Sequence, residues 1–264
     1  MLIAQISDPH LRPSGVLYQE TADSNGDLIR AIDQLNRLAP QPDLVVLTGD
    51  VVDHGSPAEY AVARDILSRL KAPLLVIPGN HDERGAFRHA FQDHAYLPSE
   101  GPLHYVVTVG ERRVIALDVT IPGEHHGLFD AAAEAWLEAA LAAQPDWPTI
   151  IMMHQPPIMT GVPYLDEYRC LGADRLAACI ARVPAVERLL CGHVHRLMQM
   201  RFGGTLLMTA PSTTTAIALQ IDPAAEPASF IEPPGFLLHD WRDAHSLLTH
   251  YLPIGTFPGP FPFA

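Results

Sequence analysis

The chain has 264 residues, which is long for one domain, but layered α/β and all-β domains reach this size as single units. Hydrophobic residues make up 48% of the sequence, and no apolar run is long enough to span a membrane, so we expect no membrane partner. The formal net charge of -13 does not attract a long polyanion, which excludes a nucleic-acid polymer as the expected partner. The N-terminal stretch has no basic segment and no long apolar segment, so we expect no secretory signal.

Short apolar runs of strand length recur along the chain, as is typical of strands that are buried on both faces of a sheet. Segments with helical periodicity lie between several of them, and this alternation predicts a layered α/β domain. In chain order, the predicted strands are Leu2–Ile6, Leu44–Leu47, Leu74–Ile77, Tyr105–Val109, Val114–Leu117, Ile150–Met153, Leu189–Cys191 and Leu206–Met208.

Four helices are predicted from helix caps and from apolar residues on one face. The capping box of Ser56 and Glu59 opens the second helix, which we expect to end at about Leu70. The other three are a helix through Leu28, Ile32 and Leu35 capped by Asp23 or Ser24, a helix through Trp136, Leu137 and Leu141 capped by Asp130, and a helix over Gly172–Arg182.

Candidate metal ligands directly follow five of the predicted strands. In open α/β sheets, sites form beyond the carboxyl ends of the strands, so these side chains can converge on one place. The five motifs are Asp8-Pro9-His10, Gly49-Asp50, Gly79-Asn80-His81-Asp82, His154-Gln155 and Gly192-His193-Val194-His195.

The ligand types point to two divalent transition metals. Carboxylate, imidazole and amide oxygen suit Mn, Fe, Zn or Co, and the motifs offer no thiolate. Seven candidate ligands exceed what one tetrahedral ion takes, but with one bridging carboxylate they give four protein bonds to each of two ions. Two ions about 3.5–4 Å apart can activate a bridging hydroxide and clamp both sides of a displacement at phosphorus.

Each motif alone has a simpler explanation, because Asp-x-His is often a surface turn and Gly-Asn-His-Asp can cap a helix. Five motifs at five strand ends argue against that explanation for the whole set. The other nine of the 14 histidines we expect to be structural: His54, His89, His94, His104, His125, His126, His239, His245 and His250.

The five motifs, which cover the chain from residue 8 to residue 195, resemble those of the calcineurin-like metallophosphoesterase superfamily. Within it, the segments Ile6–His10 and Pro78–Asp82 look most like class III cyclic nucleotide phosphodiesterases and related bacterial glycerophosphodiesterases. The resemblance implies an α/β fold, a four-layer αββα sandwich with a dinuclear metal site. It also implies the ligands: Asp8, His10 and His195 for one ion, Asn80, His154 and His193 for the other, and Asp50 as the bridge.

The resemblance also implies roles around the metals. His81 contacts phosphate oxygen and is the candidate proton donor to the leaving alkoxide, although it could also only position Asn80. Asp82 could orient His81 or a metal-bound imidazole, and Asp118 could do the same or cap a loop.

The substrate side is expected to include Asn80, His81, Tyr18 and Thr215. Thr215 takes the place where related glycerophosphodiesterases can carry a histidine, and its hydroxyl cannot carry positive charge. Arg12 could face the pocket or solvent.

The function we expect is a dinuclear metal-dependent phosphodiesterase. It would hydrolyse glycerophosphodiesters, 3',5'-cyclic nucleotides or both, by attack of a metal-bound hydroxide. A phosphomonoesterase, a nuclease and a non-catalytic metal-binding scaffold are the alternatives. A monoester dianion needs an extra cationic partner, a nuclease conflicts with the acidic charge, and a scaffold would be expected to lack ligands or His81.

Residues 1–220 are expected to form the catalytic domain, and residues 221–264 a C-terminal extension that serves as a lid or in oligomerisation. Within the extension, 222–235 is rich in Pro and Ala, and 255–264 contains three Pro and three Phe. We expect at least a homodimer. The three cysteines (Cys170, Cys179, Cys191) form no CxxC pair, which fits a reducing compartment and a cytoplasmic location.

Overall fold

The computed structural model describes residues 1–243 and 246–262, so His245 and the last two residues of the tail lie outside it. Each of the eight predicted strands is present. The strands are β1 (Leu2–Ile6), β2 (Leu44–Thr48), β3 (Leu74–Ile77), β4 (Tyr105–Val109), β5 (Arg112–Leu117), β6 (Gly127–Leu128), β7 (Thr149–Met153), β8 (Cys170–Leu171), β9 (Val186–Cys191), β10 (Met198–Phe202), β11 (Thr205–Thr209), β12 (Ala216–Ile217), β13 (Ser229–Phe230), β14 (Gly235–Asp243) and β15 (Ser246–Pro253).

The four predicted helices are also present, with two short ones that periodicity missed, Arg84–Ala90 and Pro163–Glu167. Asp23, Ser56 and Asp130 cap their helices as predicted, but the second helix stops at Leu67 rather than Leu70. Every helix in the described part of the chain is too short or too polar to cross a membrane. The helices are α1 (Ser24–Leu35), α2 (Pro57–Leu67), α3 (Arg84–Ala90), α4 (Ala131–Ala142), α5 (Pro163–Glu167) and α6 (Ala173–Ala181).

Two large sheets lie face to face. Their strand orders are β15-β14-β1-β2-β3 and β10-β11-β9-β7-β5-β4. The central strands of each sheet run parallel, while β14, β15, β10 and β4 pair antiparallel at the edges. The parallel strands of each sheet therefore end at one edge of that sheet.

The core forms three layers of apolar side chains, which confirms the αββα sandwich. Successive residues of a strand point to opposite faces, so Ile3 lies between the sheets while Ala4 faces the helices α1–α3. Val46, Met152 and Leu190 are among the other residues buried between the sheets. Helices α4 and α6 cover the outer face of the second sheet.

The C-terminal hairpin was not anticipated from the sequence. β14 pairs with β1, and β15 pairs with β14, so residues 235–253 extend the first sheet. The division into a catalytic domain over 1–220 and an extension over 221–264 stays a prediction, and the sheet itself continues across that boundary.

The layer between the sheets should govern stability. Leu190 is fully buried there, whereas Leu248 on β15 is 43% exposed. We expect Leu190→Ala to lower the free energy of unfolding by about 2–5 kcal/mol, and Leu248→Ala to change it by less than about 1 kcal/mol. Urea unfolding of both variants in chelator measures this, and equal losses would contradict the assignment of the core.

Candidate metal centre

The loops after β1, β2, β3, β7 and β9 bring all seven predicted ligands together. Two groups of potential ligand atoms form, each with its atoms within 4.8 Å of one another. The first group is Asp8, His10 and His195, and the second is Asp50, His154 and His193.

Asp50 lies between the two groups. Its Oδ2 is 3.6 Å from His10 Nε2 and 3.2 Å from His154 Nε2. A carboxylate in this position can bind ions on both sides and reduce the repulsion between them. This geometry agrees with the predicted bridging role.

Asn80 joins the second group through its side-chain oxygen. Oδ1 lies 3.1 Å from His154 Nε2, while Nδ2 lies 3.2 Å from Nδ1 of His125. The contact with His125 therefore directs the nitrogen of the amide away from the centre and leaves the oxygen facing it. Oxygen is the amide atom that binds a metal ion.

Backbone carbonyls orient two of the imidazoles. Nδ1 of His154 donates to the carbonyl oxygen of Thr48 at 2.8 Å, and Nδ1 of His195 donates to that of Thr215 at 3.0 Å. Both histidines thus direct Nε2 at the centre, the usual arrangement for histidine ligands. Nε2 of His193 is buried and has no hydrogen-bond partner among the described residues, as expected of a nitrogen aimed at a metal ion.

Five of the seven predicted ligands have a left-handed backbone, with φ between 44° and 72°. This conformation costs a non-glycine residue on the order of 1 kcal/mol or more, and it is concentrated at functional sites. The loops stabilise each other, since Asp8 N donates to Gly49 O and His10 N donates to Asp50 O. The five residues are Asp8, His10, Asp50, His193 and His195.

Close packing around the ligands requires glycine in front of Asn80. A Cβ on Gly79 would collide with the carboxylate and the backbone of Asp50. The glycine of the Gly-Asn-His-Asp motif therefore lets β3 and β2 end close enough for their ligands to meet.

Burial shapes the protonation of the centre. It raises the pKa of Asp8 to about 6 and lowers the pKa of His195 to about 4, and it also lowers the pKa of His10 and His193. These three imidazoles are thus neutral at pH 7, the form that binds metal.

For Asp50 and His154, the opposite charges in the centre outweigh burial and shift the pKa in the other direction. Burial opposes ionisation of Asp50, but the imidazoles of His154 and His81 lower its pKa below the ordinary range. Burial likewise lowers the pKa of His154, yet Asp50 raises it to about 9. Metal binding at His154 should therefore release a proton.

His81 lies beside the centre and faces the cavity above it. Its backbone N donates to Asp50 Oδ1 at 2.9 Å, and its Nδ1 donates to the carbonyl oxygen of Asp53 at 2.8 Å. Burial lowers the pKa of His81, but Asp50 and Asp53 raise it more, to about 10. The imidazole is therefore a cation at neutral pH, with Nε2 left for a ligand.

Asp53, which sequence reasoning missed, takes the place expected of Asp82. The Asp53 carboxylate lies 3.5 Å from His81 Nδ1 and 3.7 Å from His10 Nδ1. Asp82 accepts instead from the backbone N of Val51 and Gly79 and from the hydroxyl of Tyr60, so the prediction that it orients His81 is wrong. The spacing of three residues after Asp50 was the only sequence signal for Asp53.

Arg12 and Asp118 have structural partners. Arg12 pairs with Asp53 at 2.7 Å and with Glu59 at 2.9 Å, so it supports the loop behind His81. Asp118 pairs with Arg84 at 2.7 Å and accepts from the backbone N of Leu103. It therefore holds the segments around these two residues in place.

A cavity of about 430 Å³ opens over the centre. Tyr18 and Thr215, both expected on the substrate side, are in its wall, and the Tyr18 ring stacks on His10 at 4.6 Å between centroids. His125 is also in the wall. It was grouped with the structural histidines because it follows no predicted strand. Further lining residues include Gln19, Tyr164, Tyr168 and Ser229.

The fold and the site define a class of protein: an αββα hydrolase whose paired carboxylate and imidazole groups suit two divalent ions. The family model for calcineurin-like phosphoesterases matches residues 1–197, and the chain belongs to this family. The resemblance in the motifs is thus confirmed.

Individual relatives cover most of the chain. A probable glycerophosphodiester phosphodiesterase GpdQ of Arcobacter nitrofigilis is 33% identical over 264 residues, covering 100% of this chain and 97% of the relative. A 3',5'-cyclic adenosine monophosphate phosphodiesterase CpdA of Escherichia coli is 32% identical over 215 residues, covering 80% and 75%. Among solved structures, a dimetal phosphatase from Danio rerio matches with a TM-score of 0.67 and 15% identity over 94% of this chain and 98% of its own, a likeness of fold.

Removing the Asp53 charge should lower the pKa of His81, because the carboxylate stabilises the imidazolium. In Asp53→Asn we expect the His81 resonance of metal-free protein to titrate at lower pH than in wild type. NMR titration measures this. The control is Asp93→Asn, which removes an exposed carboxylate that also pairs with an arginine, Arg64. An unchanged His81 titration in Asp53→Asn would refute the electrostatic role.

Proposed function

We propose that the protein is a metal-dependent phosphodiesterase that hydrolyses small diesters, glycerophosphodiesters or 3',5'-cyclic nucleotides. The observation that carries the proposal is the position of Asp50 between two ligand groups, with the cationic His81 beside them in one cavity. The named activities of the relatives, glycerophosphodiester and cyclic nucleotide hydrolysis, support it.

Two divalent ions bound by the seven ligands would supply Lewis acidity, polarising phosphate oxygens and lowering the pKa of water. The donor set suits Mn, Fe, Zn or Co. Asp50 would join the two positions, and Asn80 would contribute a neutral oxygen, so the second position keeps more positive charge than a further carboxylate would leave.

The chain itself provides the proton that the leaving group needs. Hydrolysis breaks a P–O bond, and the departing alkoxide must gain a proton. His81 is protonated at neutral pH, and its Nδ1 is held by the Asp53 carbonyl, so Nε2 is the nitrogen that can reach the substrate. We assign His81 as the general acid and as a contact of the phosphate.

A diester is favoured over a monoester by the charge of the cavity wall. Among the described residues that line it, none is a lysine or an arginine, and Thr215 offers a neutral hydroxyl. Arg12 is held by Asp53 and Glu59. A monoester dianion carries one more negative charge than a diester, and the described wall offers it His81 but no lysine or arginine to balance that charge. A homo-oligomer and a cytoplasmic location remain predictions, the latter supported by the three buried, free cysteines.

The reaction class can be tested with chromogenic esters. Protein stripped with chelator and reloaded with Mn²⁺ should hydrolyse bis(4-nitrophenyl) phosphate, and the stripped protein should not. The rate on 4-nitrophenyl phosphate should be lower, because the cavity wall offers little charge for a dianion. Preference for the monoester would make the protein a phosphatase. Absence of turnover with two ions bound would favour the alternative of a non-catalytic metal-binding scaffold.

Two substitutions should separate metal binding from proton donation. Asp50→Ala should lose metal and activity together. His81→Ala should keep two ions and lose about 10²–10⁴ in kcat on a glycerophosphodiester, whose alkoxide leaving group needs the proton. Metal analysis and initial rates on that substrate measure this. His250→Ala serves as the control, since His250 is exposed on β15. Loss of metal in His81→Ala would move this residue to a structural role.

A further inference from the structure

A second cavity of about 590 Å³ lies next to the one over the metal centre. His195 and Thr215 line both cavities. The strand β12 stands between them, because Ala216 lines the second cavity and Ile217 the first. Successive residues of a strand face opposite sides, so the β12–β13 ribbon is a wall with one cavity on each face.

The wall of the second cavity is apolar. Leu197, Leu219, Tyr251 and Phe257 contribute to it, and each is between 44% and 58% exposed. Four prolines line it as well: Pro211, Pro233, Pro234 and Pro253. Its volume is within the range of about 300–1,000 Å³ that small-molecule sites occupy.

The charge of the second cavity selects a neutral occupant. The two formally charged side chains in its described wall are Arg196 and Glu232, which pair with each other at 2.9 Å. The same Arg196 donates to the carbonyl oxygen of Ile217 and so holds the ribbon in place. The pairing leaves little net charge to attract a second ionic group.

The junction of the two cavities carries a polar group that has no partner. Thr215 is 2% exposed, and its Oγ1 has no hydrogen-bond partner within the part of the chain that the structure describes. A buried hydroxyl without a partner is costly. A ligand with an ester oxygen at this point and an apolar group beyond it would satisfy both features.

We propose that the second cavity is a subsite for an uncharged, apolar ester group of the diester substrate, such as an alkyl chain. The phosphate would lie in the first cavity and the alkyl group in the second, with the Thr215 hydroxyl donating to the ester oxygen between them. This inference rests on the proposed phosphodiesterase function and narrows its substrate class.

The test uses 4-nitrophenyl alkyl phosphodiesters with methyl, butyl and octyl groups and the Mn²⁺-loaded enzyme. The leaving group is constant, so differences in rate come from the alkyl group. Burial of a CH2 group is worth about 0.8 kcal/mol, so kcat/KM should rise about two- to fourfold for each carbon over the first carbons of the series.

Two matched variants test whether the alkyl group of the substrate binds in the second cavity. Leu219 lines the second cavity, whereas Ile221 lies two residues further along, is 67% exposed and is not part of either wall. Leu219→Asp should remove at least tenfold of kcat/KM on the octyl diester and leave the methyl diester unchanged. Ile221→Asp should change neither.

The possible failures are distinguishable. Equal kcat/KM across the series, or a rise that Leu219→Asp and Ile221→Asp leave intact, would overturn the subsite and leave the phosphodiesterase standing. Absence of turnover on the methyl, butyl and octyl diesters alike would overturn the proposed function, and the subsite with it.

Discussion

The centre depends on the burial of two carboxylates next to each other. Asp8 is fully buried and Asp50 is 2% exposed. Taking carboxylates out of water is unfavourable unless opposite charge and hydrogen bonds compensate. The raised pKa of Asp8, about 6, reflects that cost. Five histidines, backbone N–H groups and two divalent ions would together provide the compensation, so the ligand set is also what allows the acids to be buried.

This constraint explains why the site needs two sheets. One sheet provides Asp8, His10, Asp50 and Asn80, and the other provides His154, His193 and His195. The apolar layer between the sheets holds the two halves together, and hydrogen bonds within the site also join them, such as those from His154 Nδ1 to the Thr48 carbonyl and from His193 N to the Asp8 carboxylate. The left-handed backbones of five ligands are the local consequence, since each loop must turn at once after its strand to direct a side chain at the centre.

The sequence predicted the fold best where local pattern and tertiary burial agree. Strands such as β2 and β7 are continuous apolar runs because both faces are buried, so their ends and the ligands after them could be located. β14 was missed because its pattern mixes Trp241 and Phe236, both fully buried, with His239 and Arg242. His239 is buried there against Gln5, a contact that no local pattern predicts.

Within the site, sequence reasoning found the side chains that converge at the centre and missed those that contact them from behind. The ligands follow strands, which are visible in the pattern. Asp53 and His125 act through His81 and Asn80, from loops whose paths depend on the packing of several elements. Asp82 was the natural choice by adjacency, but a residue next to His81 in sequence points to the opposite side, towards Tyr60 and the end of β2.

The acidic chain and its anionic substrate are reconciled locally. A net charge of -13 opposes the approach of any phosphate, and more so the approach of a dianion or a polymer. At the cavity, the charge that counts is that of the two ions that the ligands would hold and, in the metal-free protein, that of His81, whose pKa Asp50 and Asp53 raise. A monoanionic diester gains from this small cationic centre and meets less repulsion from the rest of the chain than a monoester does. The uncharged second cavity extends the same selection: it adds affinity for the ester group through apolar contact, without a further charge on the substrate.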